Sequence, residues 1–180
     1  VHRRQSQMCI RDRVGTQSNG QGHETVFAQF LSDQTGIPAD HIRVVQGDSD
    51  LIASGGGTGG SRSGTVQANA TLQTVAVMEK AFRAFLSDKL EVDADQIVFD
   101  DERFRAPGSN LSPTFLEVAD MARAAGRDDL MQHSAYAVLD SRSFPNGAHI
   151  CEVEIDPDTG AVEVVRYSVV DDFGNLLNPM

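Results

Sequence analysis

Gly15-Thr16-Gln17-Ser18-Asn19-Gly20-Gln21-Gly22-His23-Glu24-Thr25 and, further along, Gly55-Gly56-Gly57-Thr58-Gly59-Gly60-Ser61-Arg62-Ser63 organise this chain, because each glycine run leads straight into a helical pattern. After the first, Val26, Phe27, Phe30 and Leu31 share one face, predicting a helix over about 22–35 that Gly36 stops and Pro38 follows. After the second, Ala68, Leu72, Val75, Met78, Phe82 and Phe85 recur at three- and four-residue steps, predicting a long core helix over about 63–88. A helix start leaves its first N–H groups unpaired and carries about half a positive charge, so glycines that permit close backbone approach make it an anion cradle. Two cradles in so short a chain point to a diphosphate ligand. Arg43 and Arg62 are the only Lys or Arg between residues 14 and 79, so backbone dipoles and hydroxyls must do the holding.

Neither run is a P-loop, since no Lys follows the second, and neither fits the dinucleotide fingerprint of a strand followed by G-x-G-x-x-G and an acidic residue. The plainer reading of such runs is turns alone. Ser61 and Ser63 read either as ligand-contacting hydroxyls or as N-caps. Glu24, in a first helical turn, complements the helix dipole rather than serving as a base.

Working outward, Ile42-Arg43-Val44-Val45 is a short β-rich run, and Val92-Asp93-Ala94-Asp95-Gln96-Ile97 echoes the joint Ile37-Pro38-Ala39-Asp40-His41-Ile42 that precedes it. A strand through Ile97-Val98-Phe99 follows the second joint, which suggests a duplicated helix-then-strand layer. A further strand runs through Phe104 to a turn at Pro107-Gly108-Ser109-Asn110. Ser112 is a candidate N-cap for a helix starting at Pro113 and carrying Phe115, Leu116, Val118 and Met121. Finally, Ile150, Val153 and Ile155 approach the turn Pro157-Asp158-Thr159-Gly160, and Val162 to Val170 return as an antiparallel hairpin. His149 and Cys151 on this strand read as packing residues. The predicted class is α+β, with helix-strand repeats, an antiparallel hairpin, and helices on one face.

The chain has 180 residues, 40% of them hydrophobic, and a net charge of −11. Residues 1–13 hold four arginines against Asp12, which leaves −14 on residues 14–180 and argues against nucleic acid or anionic lipid as partner. No apolar run approaches the ~20 residues of a membrane span. Cys9 and Cys151 are too few for a disulfide scaffold and lack metal-ligand spacing, so structural zinc is unsupported and a reducing, cytoplasmic compartment is the simpler expectation. Residues 1–13 lack any amphipathic period, and Met8-Cys9-Ile10-Arg11-Asp12 resembles a translated sequencing-library adapter. They are expected to be non-native, with residues 14–180 the domain proper and the chain cut at both ends.

The two glycine segments and their spacing resemble the second molybdopterin-binding region of the xanthine dehydrogenase and aldehyde oxidase family's large subunit, nearest its bacterial carbon-monoxide-dehydrogenase-like branch. The resemblance continues through Phe144-Pro145-Asn146-Gly147, Cys151-Glu152-Val153-Glu154-Ile155-Asp156 and Val170-Asp171-Asp172-Phe173-Gly174 to Asn178-Pro179. It implies a molybdenum hydroxylase that places water-derived oxygen on aldehydes, N-heterocycles or carbon monoxide, using a molybdopterin cytosine dinucleotide. It further implies FAD and 2Fe-2S partner subunits and a dimer of the heteromeric unit. By the same resemblance Gln21 hydrogen-bonds the cofactor near the metal within Gly20-Gln21-Gly22-His23, and Ser61 and Ser63 bind its polar groups within Gly59-Gly60-Ser61-Arg62-Ser63. The metal takes no protein ligand, and the general-base glutamate lies beyond Met180, so this chain alone is expected to be inactive. The competing readings are a non-catalytic nucleotide- or phosphate-binding module and an interaction domain.

Overall fold

A computed structural model describes residues 10–139 and 143–177. The strand β1 (Ile10–Arg13) pairs in parallel with β2 (Ile42–Val45), and α1 (His23–Thr35) makes the crossover between them. Gly36 ends α1 in the left-handed region at φ 69°, its N–H returning to Ser32 O at 2.8 Å. That left-handed stop is the work the sequence assigns to it. The long helix α2 (Ser63–Leu90) leads to the antiparallel pair β3 (Val98–Asp100) and β4 (Arg103–Arg105), and α3 (Phe115–Ala124) follows. Both echoed joints form single 3-10 turns, Ala39–His41 and Ala94–Gln96. The echo stops there, since β2 joins a parallel pair and β3 an antiparallel one, so the described strands make separate two-stranded sheets and no duplicated layer.

Ile10 packs against the core, and Val14 N–H extends the β1–β2 ladder to Val45 O at 3.0 Å. Two expectations need correction. Leu72 is 43% exposed; the buried stripe at the start of α2 is instead Ser63, Gln67 and Thr71, which then continues into Val75. A polar stripe is tolerated there because its members pair, Gln67 Nε2 donating to Thr71 Oγ1 at 3.2 Å. The N-cap of α3 is Thr114, not Ser112. Its hydroxyl accepts Glu117 N–H at 3.3 Å while the Glu117 carboxylate accepts Thr114 N–H at 2.8 Å, a reciprocal capping box.

The core gathers Phe82, Phe99, Phe104 and Phe115, whose rings meet tilted or edge-on at 4.7–6.1 Å. Fully burying each such ring is worth about 1.5–3 kcal/mol. The core secures the C-terminal half of α2, and so sets the direction in which its N-terminal half projects toward the glycine runs.

Residues 143–177 form a second unit. Its hairpin pairs β5 (Asn146–Ile155) with β6 (Val162–Asp172) and bulges between Glu152 and Val153. Asp156 closes the turn by accepting the N–H groups of Asp158 and Thr159, and these bonds hold its carboxyl below the usual range. His149 and Cys151 are exposed rather than packed. His149 bridges the strands, Nδ1 lying 3.1 Å from Tyr167 Oη and Nε2 3.1 Å from Asp171 Oδ1. Helices and strands thus combine as α+β, and no helix among the described residues is long and apolar enough to cross a membrane.

Candidate functional site

The two glycine segments meet. Gly57 N–H reaches Gly15 O at 3.3 Å, and Gly15 and Gly55 cross so closely that a Cβ on Gly55 would lie 2.3 Å from Gly15 O. Thr58, a residue the sequence reading left unassigned, pins the crossing. Its hydroxyl accepts Gln17 N–H at 3.3 Å, donates to Gln17 O, and accepts Ser63 Oγ at 3.1 Å. One hydroxyl therefore joins the first loop, the second loop and the first residue of α2. The signal available in sequence was a hydroxyl inside a glycine run, where a side chain has little other purpose.

Both loops open helices as expected, and neither helix has a side-chain cap. Gly22 is the N-cap of α1 at φ 76°, with Gly20 at φ 107°. A Cβ at either would meet nothing within 4 Å, so the requirement there is backbone conformation and not space. Arg62 holds the N-cap position of α2, which corrects the cap reading of the serines: Ser63 is already helical and buried, and Ser61 sits in the left-handed region at φ 51°. Uncapped starts leave their first N–H groups for a ligand.

Gln21 is exposed, and its Oε1 turns back to accept Asn19 N–H at 2.5 Å, which leaves the Nε2 end for a ligand. His23 is buried, stacked on Phe27 at 4.6 Å, with Nδ1 3.4 Å from Gln46 Oε1. Glu24 accepts Gln46 Nε2 at 2.5 Å, a structural partner consistent with its non-catalytic reading.

Two cavities adjoin the crossing. A cleft of about 250 Å³ lies between Val14–Gln17, Gly47–Ser49 and Gly55. A groove of about 1090 Å³ runs along the polar stripe of α2 and includes Arg62 and Ser63. Gly20, Gln21, Gly22, His23, Gly59, Gly60 and Ser61 line neither, so it is the roots of the loops, not their tips, that form the walls. Thr16, 7% exposed, lines both, and its Oγ1 has no hydrogen-bond partner among the described residues. A buried hydroxyl so placed fits a polar ligand group. Asp12 Oδ2, also unpartnered, faces the same groove, and burial pushes its carboxyl up to about 6. No group of three His, Cys, Asp or Glu among the described residues is arranged to hold a metal ion.

The chain is 33% identical over 174 residues to the carbon monoxide dehydrogenase large chain of Afipia carboxidovorans, covering 93% of this chain and 21% of that one. It is 31% identical to subunit gamma of the 6-hydroxypseudooxynicotine dehydrogenase complex of Paenarthrobacter nicotinovorans, covering 93% and 22%. Among solved structures it matches a Cu,Mo-CO dehydrogenase in its carbon monoxide reduced state at 32% identity and TM-score 0.74, over 95% of this chain and 22% of that one. It also matches quinoline 2-oxidoreductase from Pseudomonas putida 86 at 27% identity and TM-score 0.69, again over 95% and 22%. The chain thus spans about a fifth of the length of these relatives. The molybdopterin cofactor-binding domain family matches residues 10–180, and the chain belongs to it.

Proposed function

We propose that the two loops hold a molybdopterin cofactor in its cytosine dinucleotide form, within a molybdenum hydroxylase large subunit. The observation that carries this reading is the crossing at Thr58, which brings two uncapped helix starts into one assembly beside the unpartnered Thr16 hydroxyl. Its donors are neutral apart from Arg62, which suits a ligand whose charge is met by backbone dipoles. Gln21 offers Nε2 as a donor near the reacting end. Gly20, Gly22, Gly59 and Gly60 let the backbone approach, and Ser61, Arg62 and Ser63 take polar groups of the cofactor. When bound, the cofactor supplies two-electron oxidation with water as the oxygen source.

In the same reading the parent enzyme hydroxylates aldehydes or N-heterocycles or oxidises carbon monoxide, passes electrons to 2Fe-2S and FAD subunits, assembles as a dimer of that unit, and works in the cytoplasm, where the exposed Cys151 thiol stays reduced. In that reading residues 1–13 are non-native and the domain proper starts at Val14; the buried Asp12 Oδ2 that finds no partner supports this.

Molybdenum analysis with pterin fluorescence tests the proposal. The full-length parent enzyme purified from a cofactor-producing host should carry molybdenum, and Ser61→Ala with Ser63→Ala should lower its content. In the parent enzyme Gln21→Ala should cost turnover more than metal content, by the few kcal/mol usual for one preorganised donor. Protein without molybdenum that binds a free nucleoside diphosphate would favour the phosphate-module reading instead.

A further inference from the structure

Gln46, directly after β2, gathers three groups from the first loop and the start of α1. Its Oε1 accepts Ser18 N–H at 2.9 Å and lies 3.4 Å from His23 Nδ1, and its Nε2 donates to Glu24 Oε1 at 2.5 Å. The amide orientation follows from the partners. A backbone N–H can only donate and a carboxylate can only accept, so the oxygen must face Ser18 and the nitrogen Glu24. The group facing His23 is then an acceptor, and Nδ1 must carry the ring proton. Stacking on Phe27 holds the ring plane in place.

We propose that Gln46 is the positioning residue of the Gly20-Gln21-Gly22 turn, anchoring Ser18 before it and the His23–Glu24 helix start after it, and that it sets His23 as the Nδ1–H tautomer. With Nδ1 protonated, Nε2 is left as a lone-pair acceptor. The ring is buried and lines neither cavity, so this order at the turn does not depend on what the cavities hold.

Long-range ¹⁵N–¹H spectra of His23 and amide hydrogen exchange at Ser18, recorded on the whole chain without cofactor, test it. The native chain should show Nδ1 protonated and Nε2 bare. Gln46→Leu should redistribute the ring proton toward Nε2 and speed Ser18 exchange roughly tenfold, the loss of about one hydrogen bond. Gln46→Glu should face the Glu24 carboxylate with another and loosen the turn. Adding Glu24→Gln restores donor against acceptor and should recover both signals. An unchanged tautomer and a protected Ser18 in Gln46→Leu would overturn the proposal. If that variant does not fold, a double exchange no better protected than Gln46→Glu alone overturns it.

Discussion

Thr58 and Gln17, 41 positions apart, exchange hydrogen bonds in both directions, the Gln17 N–H reaching Thr58 Oγ1 at 3.3 Å and the same hydroxyl donating back to Gln17 O. Thr58→Val keeps the shape and removes both bonds together with the acceptor for Ser63. The half-exposed setting limits the stability cost to about 1–2 kcal/mol. Thermal melting should show that modest loss, and molybdenum content should fall by more than stability accounts for.

Gly55 and Gly56 differ in what surrounds them. A Cβ on Gly55 enters the backbone of Gly15, whereas one on Gly56 meets nothing within 4 Å. Gly55→Ala should therefore force the loops apart and cost about 1–3 kcal/mol, the range for overpacking. Gly56→Ala should stay within about 0.5 kcal/mol. Equal denaturation midpoints for the two variants would contradict the crossing.

Asp12 carries a pH signature of its own. Its carboxyl is pushed up from 3.8 to about 6 by burial, so the folded chain holds that proton more tightly than the unfolded one. The contribution is full below about pH 4 and is lost as pH rises through 6, by roughly 3 kcal/mol at most. Glu117, Asp129 and Asp156 are shifted downward and act in the opposite sense, losing stability in acid. Comparing urea midpoints of the native chain and Asp12→Asn at pH 4 and pH 7 isolates the Asp12 term: the variant should gain on the native chain at pH 7 relative to pH 4. Removing residues 1–13 should lower the midpoint through loss of the β1 ladder.

At α3 the cap is decided by one residue's placement. Thr114→Ala removes the hydroxyl side of a capping box and should cost about 1 kcal/mol. Ser112→Ala should be near neutral, because Ser112 contributes its backbone carbonyl, to Arg103, rather than its hydroxyl. Chemical denaturation of the two variants side by side checks this.

Local chemistry made much of this molecule legible in its sequence. Glycine at 36, apolar residues at helical spacing from Val75 to Phe85, and the Pro157–Gly160 turn each dictate conformation through groups within a few residues, so the first two helices, the repeated joint and the hairpin could be read directly. The two glycine runs could be read as helix starts for the same reason. What the tertiary structure alone decided depends on groups far apart in the chain. The Gly15–Gly55 crossing, the Thr58 pin and the Gln46 anchor join residues 22 to 41 positions apart, and no local periodicity encodes which distant partner a hydroxyl or amide will meet. The polar stripe Ser63-Gln67-Thr71 reads as a solvent face until the loops and the groove cover it, and Asp12 acquires its displaced proton affinity only when β1 docks and removes its carboxylate from water.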